Sequence, residues 1–152
     1  MTPEEKLEAL GYPLEERTSG YPPMAVGKIA GNLLYLSGAT PPPRDGAPWD
    51  GKVGEVYSVE QGYQAARDVA AVQLMMARSV LGDLGRIKQA VKVLGMVNCV
   101  AGFRDTSKVM NGFSDLLYEV LGEKGRHARS AVGMAALPGN VPVEVETIFE
   151  IE

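Results

Sequence analysis

The chain has 152 residues, 45% of them hydrophobic and 22% charged, a composition typical of one compact soluble domain. Its formal net charge of -4 argues against a nucleic-acid-binding protein, because such proteins usually carry a basic surface. The single cysteine, Cys99, excludes an intramolecular disulfide. The single histidine, His127, excludes a metal or acid–base site that needs two imidazoles from one chain.

The N-terminal residues predict a protein of the cytoplasm. Residues 1–6 lack the basic start and the apolar run of a signal peptide. No stretch approaches the roughly 18 apolar residues that a membrane span needs. We therefore expect neither secretion nor contact with a membrane.

A short helix is predicted at the N-terminus. Thr2 and Glu5 have the spacing of a capping box, and Pro3 stands at the first helical position. Residues 12–23 are rich in proline, glycine and charge, which indicates a loop. The first 23 residues therefore form an extension before the main pattern of strands and helices.

A β-hairpin follows, because the pair Gly31–Asn32 separates two β-rich stretches, residues 24–30 and 33–37. Residues 38–54 then predict a long loop, and loops of this length are commonly functional or mobile. Trp49 in this loop either covers a pocket or anchors the loop.

The second half of the chain alternates between helical and strand patterns. The predicted elements are a helix capped by Ser58 and ended by Gly82, a strand over residues 90–103 with a bulge at Gly95, a helix begun by Asp105 or Thr106 and ended by Gly122, and strands over residues 129–136 and 141–151.

The order of elements after the N-terminal helix is thus β-β-α-β-α-β-β, which predicts an α+β fold with two layers, a sheet and two long helices. Each long helix has one apolar stripe, so we expect both to cover the same face of the sheet. The other face then has no cover from its own chain. An uncovered sheet face predicts an oligomer.

The last two strands carry the residues of greatest chemical interest. Side chains along a strand point alternately to its two faces, so Val132 and Met134 share one face, and Arg129, Ala131 and Gly133 share the other. In residues 141–146 the valines likewise lie on one face and Glu144 on the other. If the valines and Val132 face the helices, Arg129 and Glu144 share the helix-free face. The small side chains of Ala131 and Gly133 would leave space beside the arginine.

This arrangement predicts a pocket for a small carboxylate, which a guanidinium binds well. The simpler alternative is a cross-strand ion pair between Arg129 and Glu144 at a subunit interface. Outside this pair, Cys99 is expected to be a buried small residue, and His127 a histidine of a surface loop.

From residue 24 to the C-terminus the sequence resembles the RidA family, also called YjgF or the endoribonuclease L-PSP family. The segments that carry the resemblance are residues 31–38 (GNLLYLSG), Ala128-Arg129-Ser130, Leu137-Pro138 and residues 143–146 (VEVE). The late segments follow one another at the family's spacing without a gap. The resemblance implies a single RidA-like domain over residues 1–152 with a chorismate-mutase-like fold, assembled as a homotrimer with its sites between subunits.

The resemblance also implies an activity. Family members hydrolyse reactive enamine or imine intermediates, such as 2-aminoacrylate, to 2-keto acids and ammonia without a metal or organic cofactor. Arg129 matches the arginine that holds the substrate carboxylate, and Glu144 matches the glutamate that positions the attacking water. The remaining positions implied in substrate binding are Ser37, Gly38, Asn111 and Ala131.

Two positions depart from the family pattern. Ala131 stands where a cysteine is common, and Met24 stands where a pocket tyrosine is common. The N-terminal extension and the loop over residues 40–53 also exceed the compact pattern. These departures keep two other functions open, a trimer that binds a small carboxylate without hydrolysing it and, least favoured by the acidic charge, an endoribonuclease.

Overall fold

Two long helices lie on one face of a five-stranded mixed sheet in the computed structural model, which describes residues 1–152. The elements are α1 (Pro3–Ala9), β1 (Gly27–Ala30), β2 (Leu33–Leu36), α2 (Val59–Leu81), β3 (Ile87–Asn98), α3 (Thr106–Leu121), β4 (Ala128–Met134) and β5 (Val143–Ile151). This order and the two-layer α+β class confirm the prediction. No helix has both the length and the apolar character needed to cross a membrane.

The sheet has the strand order β1-β2-β5-β3-β4. Neighbouring strands are antiparallel except for β3 and β4, which run parallel. The chain can join two parallel neighbours because α3 forms the crossover between them. As a result β1 and β4 are the two edge strands, and β5 lies at the centre although it comes last in the chain.

The predicted helix ends are confirmed at the capped termini. Thr2 with Glu5 and Ser58 with Gln61 each form a reciprocal capping box, in which both the side-chain and backbone contacts are present. Gly82 ends α2 in the left-handed conformation at φ 82°, which glycine adopts without steric cost.

The strand containing Gly95 differs from the prediction. β3 begins at Ile87 and ends at Asn98, and its register shifts lie near its start, between residues 87 and 92. Gly95 is regularly paired, and the reason for a glycine there is contact with α3. A Cβ atom on Gly95 would overlap the sulfur of Met110. The expected bulge at Gly95 is therefore wrong, because close packing, not a change of register, explains this glycine.

The hydrophobic core fills the space between the helices and one face of the sheet. Fully buried side chains from the sheet include Val93, Val145 and Phe149, and they belong to the same core cluster as Phe113 of α3. Both long helices cover this same face, as predicted. The opposite face of the sheet has no cover from the chain, and it carries exposed apolar side chains. The exposed fractions are 45% for Tyr35, 40% for Val132 and 36% for Met134.

The N-terminal extension and the long loop are fastened to α2 through one buried carboxylate. Asp68 is 7% exposed, and it accepts hydrogen bonds from Tyr12 Oη and Gln64 Nε2, both at 3.0 Å, and from Arg44 Nε at 3.2 Å. A buried carboxylate requires such donors. Tyr12 comes from the extension and Arg44 from the loop, so one residue of α2 anchors both.

Trp49 anchors the long loop and does not cover a pocket. Its ring is buried, its Nε1 donates to the carbonyl of Pro42 at 3.0 Å, and it meets Tyr57 edge-on with ring centroids 5.0 Å apart. Of the two roles that the sequence left open for Trp49, the structure therefore supports the anchor.

The close approach of α2 and α3 at Gly112 gives a stability test. A Cβ atom on Gly112 would overlap the backbone carbonyl of Tyr63, so Gly112→Ala is expected to reduce the free energy of unfolding by about 3 kcal/mol despite the better helix propensity of alanine. The measurement is the urea unfolding midpoint. Gly20→Ala is the control, because nothing lies within 4 Å of its new methyl group. A Gly112→Ala midpoint equal to that of wild type would contradict the close packing.

Candidate functional site

β4 presents Arg129 to the helices, not to the open face of the sheet. The parallel register pairs Arg129 with Val93, Ala131 with Gly95 and Gly133 with Val97, and all three partners on β3 are buried beneath the helices. Paired residues on neighbouring strands point to the same face. The expectation that Arg129, Ala131 and Gly133 share the helix-free face is therefore wrong.

Alternation of side chains could not decide this point, because moving a strand by one residue exchanges its two faces. Val132 and Met134, which were expected in the core, lie on the open face. The polar surface of α3 explains why Arg129 can face the helix layer, because that surface supplies acceptors for a guanidinium at the sheet edge.

Three groups on α3 hold the guanidinium of Arg129. Its Nη1 donates to Asn111 Oδ1 at 3.0 Å and to Ser114 Oγ at 3.1 Å. Its Nη2 makes a longer contact of 3.4 Å with the carbonyl of Ser107. The structure thus brings Arg129 and Asn111 together as the sequence implied, with Asn111 orienting the arginine. Burial lowers the pKa of Arg129, and the Asp115 carboxylate opposes that shift.

His127 extends this cluster. Its Nε2 lies 2.9 Å from Ser114 Oγ, and its Nδ1 lies 2.7 Å from the carbonyl of Gly125. Burial lowers the pKa of His127, the hydrogen bond to Gly125 acts against this shift, and the charge of Arg129 adds to it. His127 is therefore half-buried and contacts Ser114, a hydrogen-bond partner of Arg129, whereas the sequence predicted a histidine of a surface loop.

Ser114 and His127 are the site residues that sequence reasoning missed. A signal for both was present. Ser114 lies three residues after Asn111 on a helix, and His127 lies two residues before Arg129, in extended chain directly before β4. Both spacings place residues on one face. The open groove at this corner has a volume of about 300 Å³ and is lined by Arg129, Asp115 and Arg126, among others.

Glu144 lies on the other face of the sheet. It pairs with Met96 on β3 and flanks the buried Val143 and Val145. A Cβ atom on Gly38 would come within 3.2 Å of the carboxyl carbon of Glu144, so a glycine there lets the backbone approach the carboxylate. Burial raises the pKa of Glu144, and the nearby Glu146 raises it further.

Arg129 and Glu144 therefore cannot hold one small ligand within a single chain. They are separated by β3, which places their strands about 10 Å apart, and their side chains leave opposite faces of the sheet. This separation also excludes the cross-strand ion pair between them within one chain. A site that uses both residues needs two copies of the chain.

The remaining predicted residues divide between these two regions. Ala131 is near Arg129, and its carbonyl accepts a hydrogen bond from Thr106 Oγ1 at 3.2 Å. Ser37 adjoins Gly38, and its Oγ donates to the carbonyl of Ala25 at 2.7 Å, which commits the hydroxyl to the backbone. No group of three or more His, Cys, Asp or Glu side chains lies close enough together to hold a metal ion.

Met24 lies in a cavity of about 270 Å³ between the N-terminal extension, the end of β2 and α2. Ser37 and Gly38 line the same cavity, together with Arg17 from the extension. Tyr21 is 60% exposed and is not among the lining residues. The N-terminal extension therefore contributes directly to the surroundings of Gly38.

A match to a protein-family model shows which family the chain belongs to. The family model described as "YjgF/chorismate mutase-like, putative endoribonuclease" matches residues 4–150. The chain belongs to the YjgF/RidA family. Among proteins of this kind, the chain is 41% identical over 123 residues to "Protein TCP17" of Trypanosoma cruzi, which covers 80% of this chain and 77% of that protein.

Two solved structures match almost the whole chain. A protein of unknown function from Agrobacterium tumefaciens is 40% identical with a TM-score of 0.89, covering 99% of this chain and 92% of its own. A structure described as a "putative endoribonuclease" from Shewanella oneidensis is 31% identical with a TM-score of 0.91, covering 99% and 100%. The matched part of both structures therefore includes counterparts of the N-terminal extension.

The match to a protein named RidA is looser. RidA from a Psychrobacter species is 24% identical, with a TM-score of 0.56, and covers 91% of this chain and 94% of its own. This likeness shows the shared fold. The present chain thus has greater structural similarity to the structures from Agrobacterium and Shewanella than to this RidA.

The buried setting of His127 predicts how stability changes with pH. Its pKa is lowered in the folded state, so the unfolded chain binds a proton more readily, and stability falls as the pH drops from about 6.5 through the lowered pKa. Because His127 is the only histidine, His127→Gln is expected to reduce this loss. The measurement is the urea midpoint at about pH 7.5 and about pH 5.5. Arg126→Gln, which keeps the histidine, should retain the wild-type loss, and an equal loss in His127→Gln would contradict the prediction.

Proposed function

We propose that this protein is a hydrolytic deaminase of small enamine or imine carboxylates, with each site formed between two copies of the chain. The observation that carries the proposal is the setting of Arg129, whose guanidinium is fixed at one end and open at the other. Family membership and the fold support small-molecule binding and assembly as the context for this chemistry.

The hydrogen bonds of Arg129 leave a suitable edge for a carboxylate. Both hydrogens of Nη1 are directed to Asn111 and Ser114, whereas Nε–H has no protein acceptor and Nη2 has one hydrogen free. No carboxylate of the same chain forms an ion pair with Arg129. Nε–H and Nη2–H together can donate two parallel hydrogen bonds to one substrate carboxylate.

Glu144 is proposed to activate the water. Its raised pKa makes its carboxylate a better base than an ordinary glutamate, and the absence of a side chain on Gly38 lets the backbone lie close to it. The water adds to the carbon of the C=N bond while Glu144 takes its proton. Glu144 returns that proton to the nitrogen, which gives the neutral carbinolamine. Glu144 then takes the hydroxyl proton of the carbinolamine and passes it to the nitrogen, so the C=O bond forms as the C–N bond breaks and ammonia leaves. One imine and one water thus give one 2-keto acid and one ammonia.

In this proposal, assembly brings Arg129 of one copy beside Glu144 of the next copy. Arg129 lies on an edge strand, and Glu144 lies on a sheet face that the chain itself leaves open. Docking the β4 corner of one copy beside the open face of the next would cover exposed apolar side chains such as Val132. A closed ring of three copies, the assembly implied by the family resemblance, repeats this contact with no unpaired surface.

A carboxylate-binding role without turnover is the second candidate, and Ala131 and Met24 favour it because neither supplies a polar side chain. One relative, 28% identical over 130 residues, is named "Putative regulator AldR" in Lactococcus lactis. RNA cleavage, the activity in several relatives' descriptions, finds less support in a chain with a net charge of -4 and one histidine.

The first test is keto-acid release from freshly generated 2-aminoacrylate. Arg129→Ala is expected to reduce kcat/KM by about 100-fold or more, because it removes a bidentate charged contact. Glu144→Gln is expected to lower kcat strongly. The matched control is Arg104→Ala, since Arg104 is exposed and lies outside the groove that Arg129 lines. Full activity of Arg129→Ala would contradict the mechanism.

Several outcomes separate the candidate functions. Binding of pyruvate by wild type without any acceleration of imine hydrolysis would favour the carboxylate-binding role. Cleavage of RNA that persists through repurification and disappears in Arg129→Ala would favour a ribonuclease.

Mixed assemblies test whether each site is shared between chains. Neither Arg129→Ala nor Glu144→Gln should be active alone, but dissociating and reassembling them together should restore about a quarter of the wild-type rate, since about one interface in four then has both intact residues. The measurement is turnover before and after exchange of subunits. Reassembled mixtures that stay inactive would contradict a site between copies.

A further inference from the structure

We propose that His127, acting through Ser114, is a positioning residue that fixes the guanidinium of Arg129 for a carboxylate. This inference rests on the proposed function, since it takes Arg129 as the carboxylate-binding group. It adds a histidine on the approach to β4 that neither the motifs nor the proposed mechanism uses, and it gives Ser114 of α3 the role of linking that histidine to Arg129.

The direction of each hydrogen bond follows from its acceptor. The carbonyl of Gly125 can only accept, so His127 Nδ1, at 2.7 Å from it, carries the proton. In the neutral imidazole Nε2 is then an acceptor, and Ser114 Oγ, at 2.9 Å, donates its hydrogen to it. The oxygen lone pairs of Ser114 are left to receive Nη1–H of Arg129 at 3.1 Å.

These three hydrogen bonds, which we call the relay, all run in one direction. Arg129 donates to Ser114, Ser114 donates to His127, and His127 donates to the carbonyl of Gly125. Together with Asn111, the relay occupies both hydrogens of Nη1. With that end held, rotation of the guanidinium plane is restricted, and Nε–H and Nη2–H keep one orientation. Preorganised donors bind an anion more tightly than donors that must be ordered on binding.

Protonation of His127 reverses one bond of the relay. Nε2–H then becomes a donor toward Ser114 Oγ, so the serine hydrogen loses its acceptor. A second positive charge also lies beside the guanidinium. The lost hydrogen bond acts directly on the orientation of Arg129, whereas the attraction of the added charge for an anion is screened by solvent in the open groove. Carboxylate binding is therefore expected to weaken as the pH falls through the pKa of His127.

The charged groups that lie near the imidazole of His127 belong to α3, to the turn before β4 and to β4 itself. α3 contributes Asp115, the turn before β4 contributes Arg126, and β4 contributes Arg129. Arg126 is paired with Glu123 at 3.3 Å, and Asp115 accepts a hydrogen bond from Tyr63. Lys92 of β3 donates to Ser130 Oγ, on the other face of the sheet. The unpaired cation facing the imidazole is thus Arg129 itself.

The test measures the dissociation constant of pyruvate, a 2-keto acid probe, from about pH 7.5 to about pH 5.5 by calorimetry. Wild type should bind more weakly at the lower pH. Titration of Glu144 has the opposite sign, because protonating that carboxylate removes repulsion of an anion. His127→Gln, which keeps a neutral acceptor, should bind like wild type at the higher pH and show no weakening below it.

Variants of the serine test the contact itself. Ser114→Ala should weaken pyruvate binding about 5-fold at about pH 7.5, the value of one hydrogen bond, and Ser114→Thr should restore it. Tyr118→Phe is the matched control, because it removes a hydroxyl from the same helix and groove, one that bonds to Glu123 and not to Arg129.

Nitrogen NMR gives a readout that does not depend on binding. The only histidine should show a protonated Nδ1 and an acceptor Nε2, and the tautomer with Nε2–H would overturn the relay. In turnover assays at about pH 7.5, Ser114→Ala should raise KM with little change in kcat, whereas Ser114→Thr and Tyr118→Phe should leave both unchanged.

The outcomes distinguish this inference from the proposed function. Pyruvate binding by wild type with the same pH dependence in His127→Gln would overturn the relay alone. Absence of pyruvate binding to wild type at every pH would overturn the carboxylate role of Arg129, and with it both proposals.

Discussion

The parallel register between β3 and β4 is the constraint on which the rest of the site depends. It places Arg129 beside the buried Val93, and so directs the guanidinium to the helix layer at the edge of the sheet. There Asn111 and Ser114 of α3 receive it. A shift by one residue would instead send Arg129 to the open face and Val132 into the core layer, and no polar surface of α3 would hold the charge.

The same register separates the two residues with the clearest chemical roles. Arg129 belongs to the helix side of an edge strand, and Glu144 belongs to the open side of the central strand. The chain thus carries two half-sites and one uncovered apolar face. Assembly would resolve both features at once, since a neighbouring copy can cover exposed side chains and also supply the missing half of the site.

The N-terminal extension and the long loop are integral parts of this fold. Asp68 binds donors from both, and Trp49 fills a place in the core. The extension also brings Arg17 to the cavity that contains Ser37 and Gly38. The chain aligns over 99% of its length with the structures from Agrobacterium and Shewanella, so the extension and the loop lie within the matched part.

Local sequence signals determined the elements of this protein. Capping boxes at Thr2 and Ser58, the turn at Gly31–Asn32 and the apolar stripes of the long helices fixed the order of elements and the two-layer class, because each depends on residues a few positions apart. The motifs around Arg129 and Glu144 indicated the family by their spacing. The family model confirms that relationship over residues 4–150.

The tertiary structure decided which face of each strand lies toward the helices and which side chains contact one another. Alternation along β4 gives two faces without saying which is inward, and the answer came from the pairing with β3. Likewise, nothing local distinguishes Gly95 as a contact for Met110 from a glycine at a bulge. The contacts from His127 through Ser114 to Arg129 join the approach to β4, α3 and β4 itself. Sequence alone therefore determined the elements and the family, whereas packing between distant segments decided the geometry of the site.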